Sequence, residues 1–153
     1  MHADNWVFPG CPHAGPALAI GTHGERHVVW YTGQPGAAGE YYARLDTAGA
    51  ATAAPVPLAR GSHLSPAHAS VVALADGGAM AAYDVAPDGS RAIRLAVLDA
   101  DGKLAYSAAV PNSSGGRYPQ LVDLGEGSGL VAWTADGVKG TEIRFAKVST
   151  HAR

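Results

Sequence analysis

Val28-Val29-Trp30-Tyr31-Thr32 is an apolar stretch with an aromatic end. The chain returns to it twice, as Met80-Ala81-Ala82-Tyr83-Asp84 and as Leu130-Val131-Ala132-Trp133-Thr134. With Trp30, Tyr83 and Trp133 in register, the steps are 53 and 50 residues. A near-constant period of that size marks a repeat architecture, in which one supersecondary unit is stacked on copies of itself. Period-two alternation within the stretch puts Val28 with Trp30, Ala81 with Tyr83, and Val131 with Trp133 on one face of a strand. One large and one smaller apolar residue per unit suits sheets packed face to face around an axis, so these aromatics are read as core.

Working outward, the rest of the unit falls into place around this strand B. Strand A precedes it near a proline: Gly15-Pro16-Ala17-Leu18-Ala19-Ile20, Ser65-Pro66-Ala67-His68-Ala69-Ser70-Val71 and Tyr118-Pro119-Gln120-Leu121-Val122-Asp123. Turns rich in Gly or Asp follow each copy, at 21–24, 75–78 and 125–129. Strand C is Tyr41 to Asp46, Arg94 to Asp99 and Arg144 to Ser149; strand D is Ala54 to Leu58 and Ala108 to Pro111. The 20 glycines and 10 prolines are spread along the chain, so breakers defeat the helix preference of the many alanines. The fold class is all-β: three propeller blades of about four strands, with approximate boundaries 11–60, 61–113 and 114–153 within one unit, 1–153.

The third unit ends at strand C, while the chain opens with an extra Asn5-Trp6-Val7-Phe8-Pro9. By period this segment sits where a strand D belongs, since His13 aligns with His63 and Val7 with Pro57. Three blades cannot close a ring, because propellers have roughly four to eight. The economical resolution is a homodimer, in which residues 3–10 of each partner complete the other's last blade and close six blades. Half of a longer parent protein is a compatible alternative.

Bulk composition narrows the function classes. Charged residues are 16%, the formal net charge is -2 and there is no Lys/Arg run, so a nucleic-acid partner is not expected. No apolar run approaches the roughly 20 residues of a bilayer-spanning helix, and residues 1–5 lack the basic and apolar regions of a signal peptide. The expectation is a chain that is soluble and unexported as written, with no membrane partner. Cys11 stands alone, so no disulfide forms within one chain.

Asn5-Trp6-Val7-Phe8-Pro9-Gly10-Cys11-Pro12-His13-Ala14-Gly15-Pro16-Ala17-Leu18-Ala19, with His27-Val28-Val29-Trp30-Tyr31-Thr32-Gly33, resembles bacterial sialidase-like propeller proteins of the Asp-box (BNR repeat) type. The resemblance covers most of this chain and about half of such a ring. It implies a six-bladed β-propeller, often exported. The Asp-box turn between strands C and D is degenerate here: Asp101 stands for the capping Asp and Tyr106 for the inward aromatic, while the first unit at Asp46-Thr47-Ala48-Gly49 lacks the box Asp.

The same resemblance supplies a test for catalysis. Sialidases use three arginines, a Tyr-Glu nucleophile pair and an Asp acid/base, because glycoside cleavage needs proton donation and stabilised positive charge. Only Arg117-Tyr118-Pro119 resembles an arginine at the inner end of strand A. Glu25, Glu40, Glu126 and Glu142 are placed in turns or at strand ends, so no Tyr-Glu pair is assigned. No Gly-x-Ser-x-Gly elbow is present, and the Gly-rich turns join strands rather than opening a helix on phosphate. The expectation is a non-catalytic scaffold that binds a small ligand or carbohydrate at the channel mouth through Arg117, Tyr118, His13 and His63. The alternatives are a sialidase-like glycosidase remnant and a metal-binding propeller. In the latter, His13 and His63, equivalent by period and doubled by a two-fold axis, join Cys11 to hold Zn, Cu or Ni. His23, His27, His68 and His151 are read as surface or strand-end residues.

Overall fold

The computed structural model describes residues 6–7, 15–61, 67–85 and 91–150. Among these there is no helix, and their strands form three antiparallel sheets. The first blade runs β1 (Ala17–Ile20), β2 (Arg26–Thr32), β3 (Gly39–Leu45) and β4 (Val56–Arg60). The second runs β5 (Ala69–Ala73), β6 (Ala79–Val85), β7 (Ala92–Leu98) and β8 (Leu104–Ala109). The third has three strands, β9 (Arg117–Gly125), β10 (Ser128–Gly137) and β11 (Gly140–Ser149), in the order β11-β10-β9. Each strand therefore pairs with its neighbours in sequence, a meander repeated three times.

Two cores lie between the blades. Because side chains alternate across a strand, each sheet has a front and a rear face. The rear of blade 1 (Val29, Tyr42, Leu58) meets the front of blade 2 (Val71, Ala79, Ala81, Tyr83). The rear of blade 2 (Met80, Ala82, Ile93, Leu95) meets the front of blade 3 (Leu121, Val131, Trp133). Blade 2 is covered on both sides, and all seven residues of β6 are buried. The first strands β1, β5 and β9 pack on one another, whereas β4 and β8 barely touch. Strands that converge at one edge and splay at the other are the wedge geometry of propeller blades. Trp30, Tyr83 and Trp133 all occupy the front face, as the alternation requires; Trp30 stacks on Tyr41 with ring centroids 5.9 Å apart.

The ends of the arc are different. The front of blade 1 leaves Leu18 and Ile20 exposed, and the rear of blade 3 leaves Val122, Leu124, Ile143 and Phe145 more than half exposed. Trp6 lies on blade 1 of its own chain, its ring 5.6 Å from Tyr31 and so close to Gly33 that a Cβ there would sit 2.7 Å from the indole. Residues 3–5 and 8–10 of the expected N-terminal strand lie outside the described residues, and Trp6 and Val7 are not in a strand.

Turn chemistry departs from the sequence reading in one respect. The residues that cap the strand C to strand D turns are Asp46 and Asp99, not Asp101. Asp46 Oδ1 accepts from the amides of Ala48 (2.9 Å) and Ala50 (2.8 Å), and Asp99 Oδ1 accepts from those of Asp101 (3.0 Å) and Lys103 (2.8 Å). Gly49 and Gly102 take the left-handed position in these equivalent turns, with φ of 87° and 79°. Asp101 points outward to Lys103 Nζ at 3.4 Å. So tight a turn lets β8 begin at Leu104, four residues ahead of the Ala108 expected. It ends at Ala109, since Pro111 has no N–H to continue a ladder.

Candidate functional site

All three blades present the ends of β2, β6 and β10 and the starts of β1, β5 and β9 at one mouth of the arc. Here the rear-face positions after each repeated aromatic are Tyr31, Asp84 and Thr134. The first two blades carry ionisable groups at this level: Asp84 faces blade 3 from the rear of blade 2, and Glu40 faces blade 2 from the rear of blade 1.

Asp84 is the centre of the arrangement and is fully buried. Its Oδ1 accepts from the His68 amide at 2.7 Å, and its Oδ2 takes three donors: His68 Nδ1 at 3.1 Å, Arg91 Nη1 at 3.4 Å and the Tyr118 amide at 3.1 Å. A buried carboxylate survives only when its charge is paired and its lone pairs are filled, and both conditions are met. Two of these donors belong to blade 2's own strand entry, His68, whose carbonyl in turn accepts from the Asp84 amide at 3.1 Å. The fourth comes from blade 3, so one carboxylate ties the first strands of two blades together.

Tyr118 owes its place to a β-bulge. The register of β9 on β10 runs from Ala132 paired with Gln120 to Thr134 paired with Arg117, leaving two residues opposite Trp133. Pro119 is buried there, and Tyr118 takes φ of 56°, a left-handed conformation costly for a side chain with a Cβ. Its ring sits 4.3 Å from that of His68, tilted by 53°, and remains 52% exposed.

Glu40 presents the opposite case. It is the second residue of β3, 1% exposed, and neither carboxyl oxygen has a hydrogen-bond partner. Burial, reinforced by the nearby Asp84 charge, holds its pKa well above the usual carboxylate range. Glu40 is thereby biased toward its protonated form. Deeper in the same interface His27, 0% exposed, shares a 2.8 Å hydrogen bond with Tyr42; burial lowers the imidazole's pKa and pushes the phenol up to about 12, so both stay uncharged.

Of the residues picked from sequence, Arg117 and Tyr118 are adjacent in the chain yet diverge. Arg117 shares the rear face of blade 3 with Thr134 and pairs through Nη2 with Asp136 at 3.3 Å. Tyr118 turns toward blade 2. His13, His63 and Cys11 lie outside the described residues, and among the described residues no three His, Cys, Asp or Glu side chains form a metal-holding group. Sequence reading missed Asp84, His68 and Glu40. His68, immediately before β5, and Glu40, second in β3, do sit at strand ends, but His68 is oriented by Asp84 and Glu40 is sealed inside; His27 is a core residue rather than a surface one. The available signal was Asp84 itself, an acid inside an otherwise apolar strand B.

No known protein-family model matches the chain, and no curated protein does. Among solved structures it is similar to the Hadza microbial sialidase Hz136, with a TM-score of 0.59 and 12% identity. The match covers 87% of this chain and 30% of that one, so the chain spans less than a third of the protein it resembles. At that identity the likeness carries the fold alone, and what the three blades have is a sialidase-like β-propeller fold.

Proposed function

We propose that this chain is a non-catalytic scaffold of the sialidase-like, Asp-box propeller type that assembles as a homodimer into a six-bladed ring and binds a small ligand or carbohydrate at the channel mouth. The observation that carries the assembly is the pair of end faces. The internal contacts already join a rear face to a front face twice, and the chain leaves one of each over. Leu18 (60% exposed) and Ile20 (65%) wait at one end, Ile143 (69%) and Phe145 (72%) at the other. Apolar patches of this kind on a folded domain mark an interface, and a second copy offers the matching face by construction. The outer edge of β11, in a sheet one strand short of its neighbours, is where the partner's residues 3–10 would add.

A scaffold without turnover is favoured by the state of the two buried acids, Asp84 and Glu40, while the exposed Asp136 at the same mouth is engaged by Arg117. A general acid must come within hydrogen-bond reach of substrate, yet Asp84 is saturated by protein donors and Glu40 is closed off. In the assembled ring, His13, His63 and Cys11 remain candidates to hold Zn or Cu, which elemental analysis of untagged protein checks against His13→Ala.

Light scattering across a dilution series tests the ring. The expected mass is twice 15.5 kDa, lost to monomer or aggregate when residues 1–10 are removed. Phe145→Asp gives up about 2 kcal/mol of burial at each of two equivalent contacts, weakening the dimer roughly a thousandfold. A well-behaved 15.5 kDa species at every concentration overturns the proposal.

A further inference from the structure

Resting on the reading of a ligand at the mouth, we infer that Tyr118 is the stacking platform of that site, that its ligand is a neutral pyranose ring, and that Asp84 is the positioning residue that holds the platform in place. Tyr118 combines three features found together at no other aromatic among the described residues: a left-handed backbone (φ 56°), a ring braced by an imidazole 4.3 Å away, and 52% exposure. A non-glycine residue in this region persists only where its surroundings over-determine it, and such strain concentrates at sites that present a side chain to a ligand. The determinant is Asp84 Oδ2, accepting the Tyr118 amide at 3.1 Å from a fully buried carboxylate. That bond fixes the bulge. His68, itself oriented by Asp84 through Nδ1, meets the ring.

The class of ligand follows from charge. Among the described residues, each arginine near the platform is matched: Arg91 with Asp84 at 3.4 Å and Arg117 with Asp136 at 3.3 Å. Among the described residues a carboxylate ligand would find no unmatched positive charge beside the platform, and the Arg117 guanidinium lies on the rear face of blade 3, away from the ring. What the mouth offers is an aromatic face in a locally neutral field, suited to the apolar C–H face of an uncharged sugar, with specificity left to its polar rim.

The experiment titrates the full chain with methyl β-D-galactopyranoside, methyl β-D-glucopyranoside and N-acetylneuraminic acid, following the aromatic proton resonances of Tyr118 and His68, with light scattering on the same samples. The inference expects saturable shifts with at least one neutral pyranoside, millimolar in affinity and insensitive to salt. Tyr118→Phe keeps this binding and Tyr118→Ala loses at least tenfold. Asp84→Asn weakens it and removes the mutual ring-current shifts of Tyr118 and His68. Should Asp84→Asn fail to fold, the Tyr118 pair carries the test alone. Tighter, salt-sensitive binding of N-acetylneuraminic acid overturns the inference, as does silence from both pyranosides up to about 100 mM. A monomeric mass counts against the ring and leaves the platform standing, so the two readings fail separately.

Discussion

Glu40 shows how one side chain sets a pH dependence. Its folded pKa lies well above 4.5, the value an unfolded chain would have, so folding takes up a proton. With the native state binding more protons, Glu40's contribution to stability is full below pH 4.5 and is lost as pH rises through the folded pKa. Denaturant titrations should show this negative slope in the chain and a flatter one in Glu40→Gln; an unchanged slope would place the proton elsewhere. Little of this was legible beforehand. A Glu in the sequence Gly39-Glu40-Tyr41 looks like a strand-end residue, and only its cross-strand pairing with Tyr31 and its position against blade 2 seal it in. Asp84 stood out as an acid in an apolar strand, but its partner His68 did not, and the bond joining them spans 16 residues. Arg117 and Tyr118 were rightly located at the start of strand A, but a bulge that turns adjacent side chains apart leaves no trace in a pattern of alternation.

At the scale of the element, the repeat made all three strand B segments and their facing readable, because alternation and period agree. Strand D was harder to bound. Its start depends on the turn before it, and the two turns share a capping aspartate, Asp46 or Asp99, before diverging in length. The roles of these aspartates are directly testable. Asp99→Ala removes two amide acceptor contacts and is expected to cost about 1 kcal/mol, roughly 3 °C in melting temperature, as is Asp46→Ala. Asp101→Ala, which loses only an exposed contact to Lys103, should leave the melting curve where it is. Equal effects at Asp99 and Asp101 would refute this assignment of the cap.

For the molecule as a whole, the blades differ in what covers them, and amide exchange should follow that order. β6, buried along its length, is expected to exchange slowest, and β11, exposed along most of its length, fastest in dilute protein. If the ring forms, protection of β11 and β1 rises with concentration while β6 is unaffected. Flat protection across the dilution series would mean that neither end face meets a second copy.

The rear-to-front contact that joins the blades has a polarity, and polarity has a consequence for growth. A contact between two different faces carries no instruction to stop at two copies; it stops only when the accumulated rotation brings the last face back to the first. That rotation is set by the thickness of the middle blade, where Ala79, Ala81 and Ala82 keep the packing thin between its neighbours. Thickening that wedge would keep the end faces themselves unchanged while altering the angle between them, and copies would then string into open-ended filaments instead of closing on themselves.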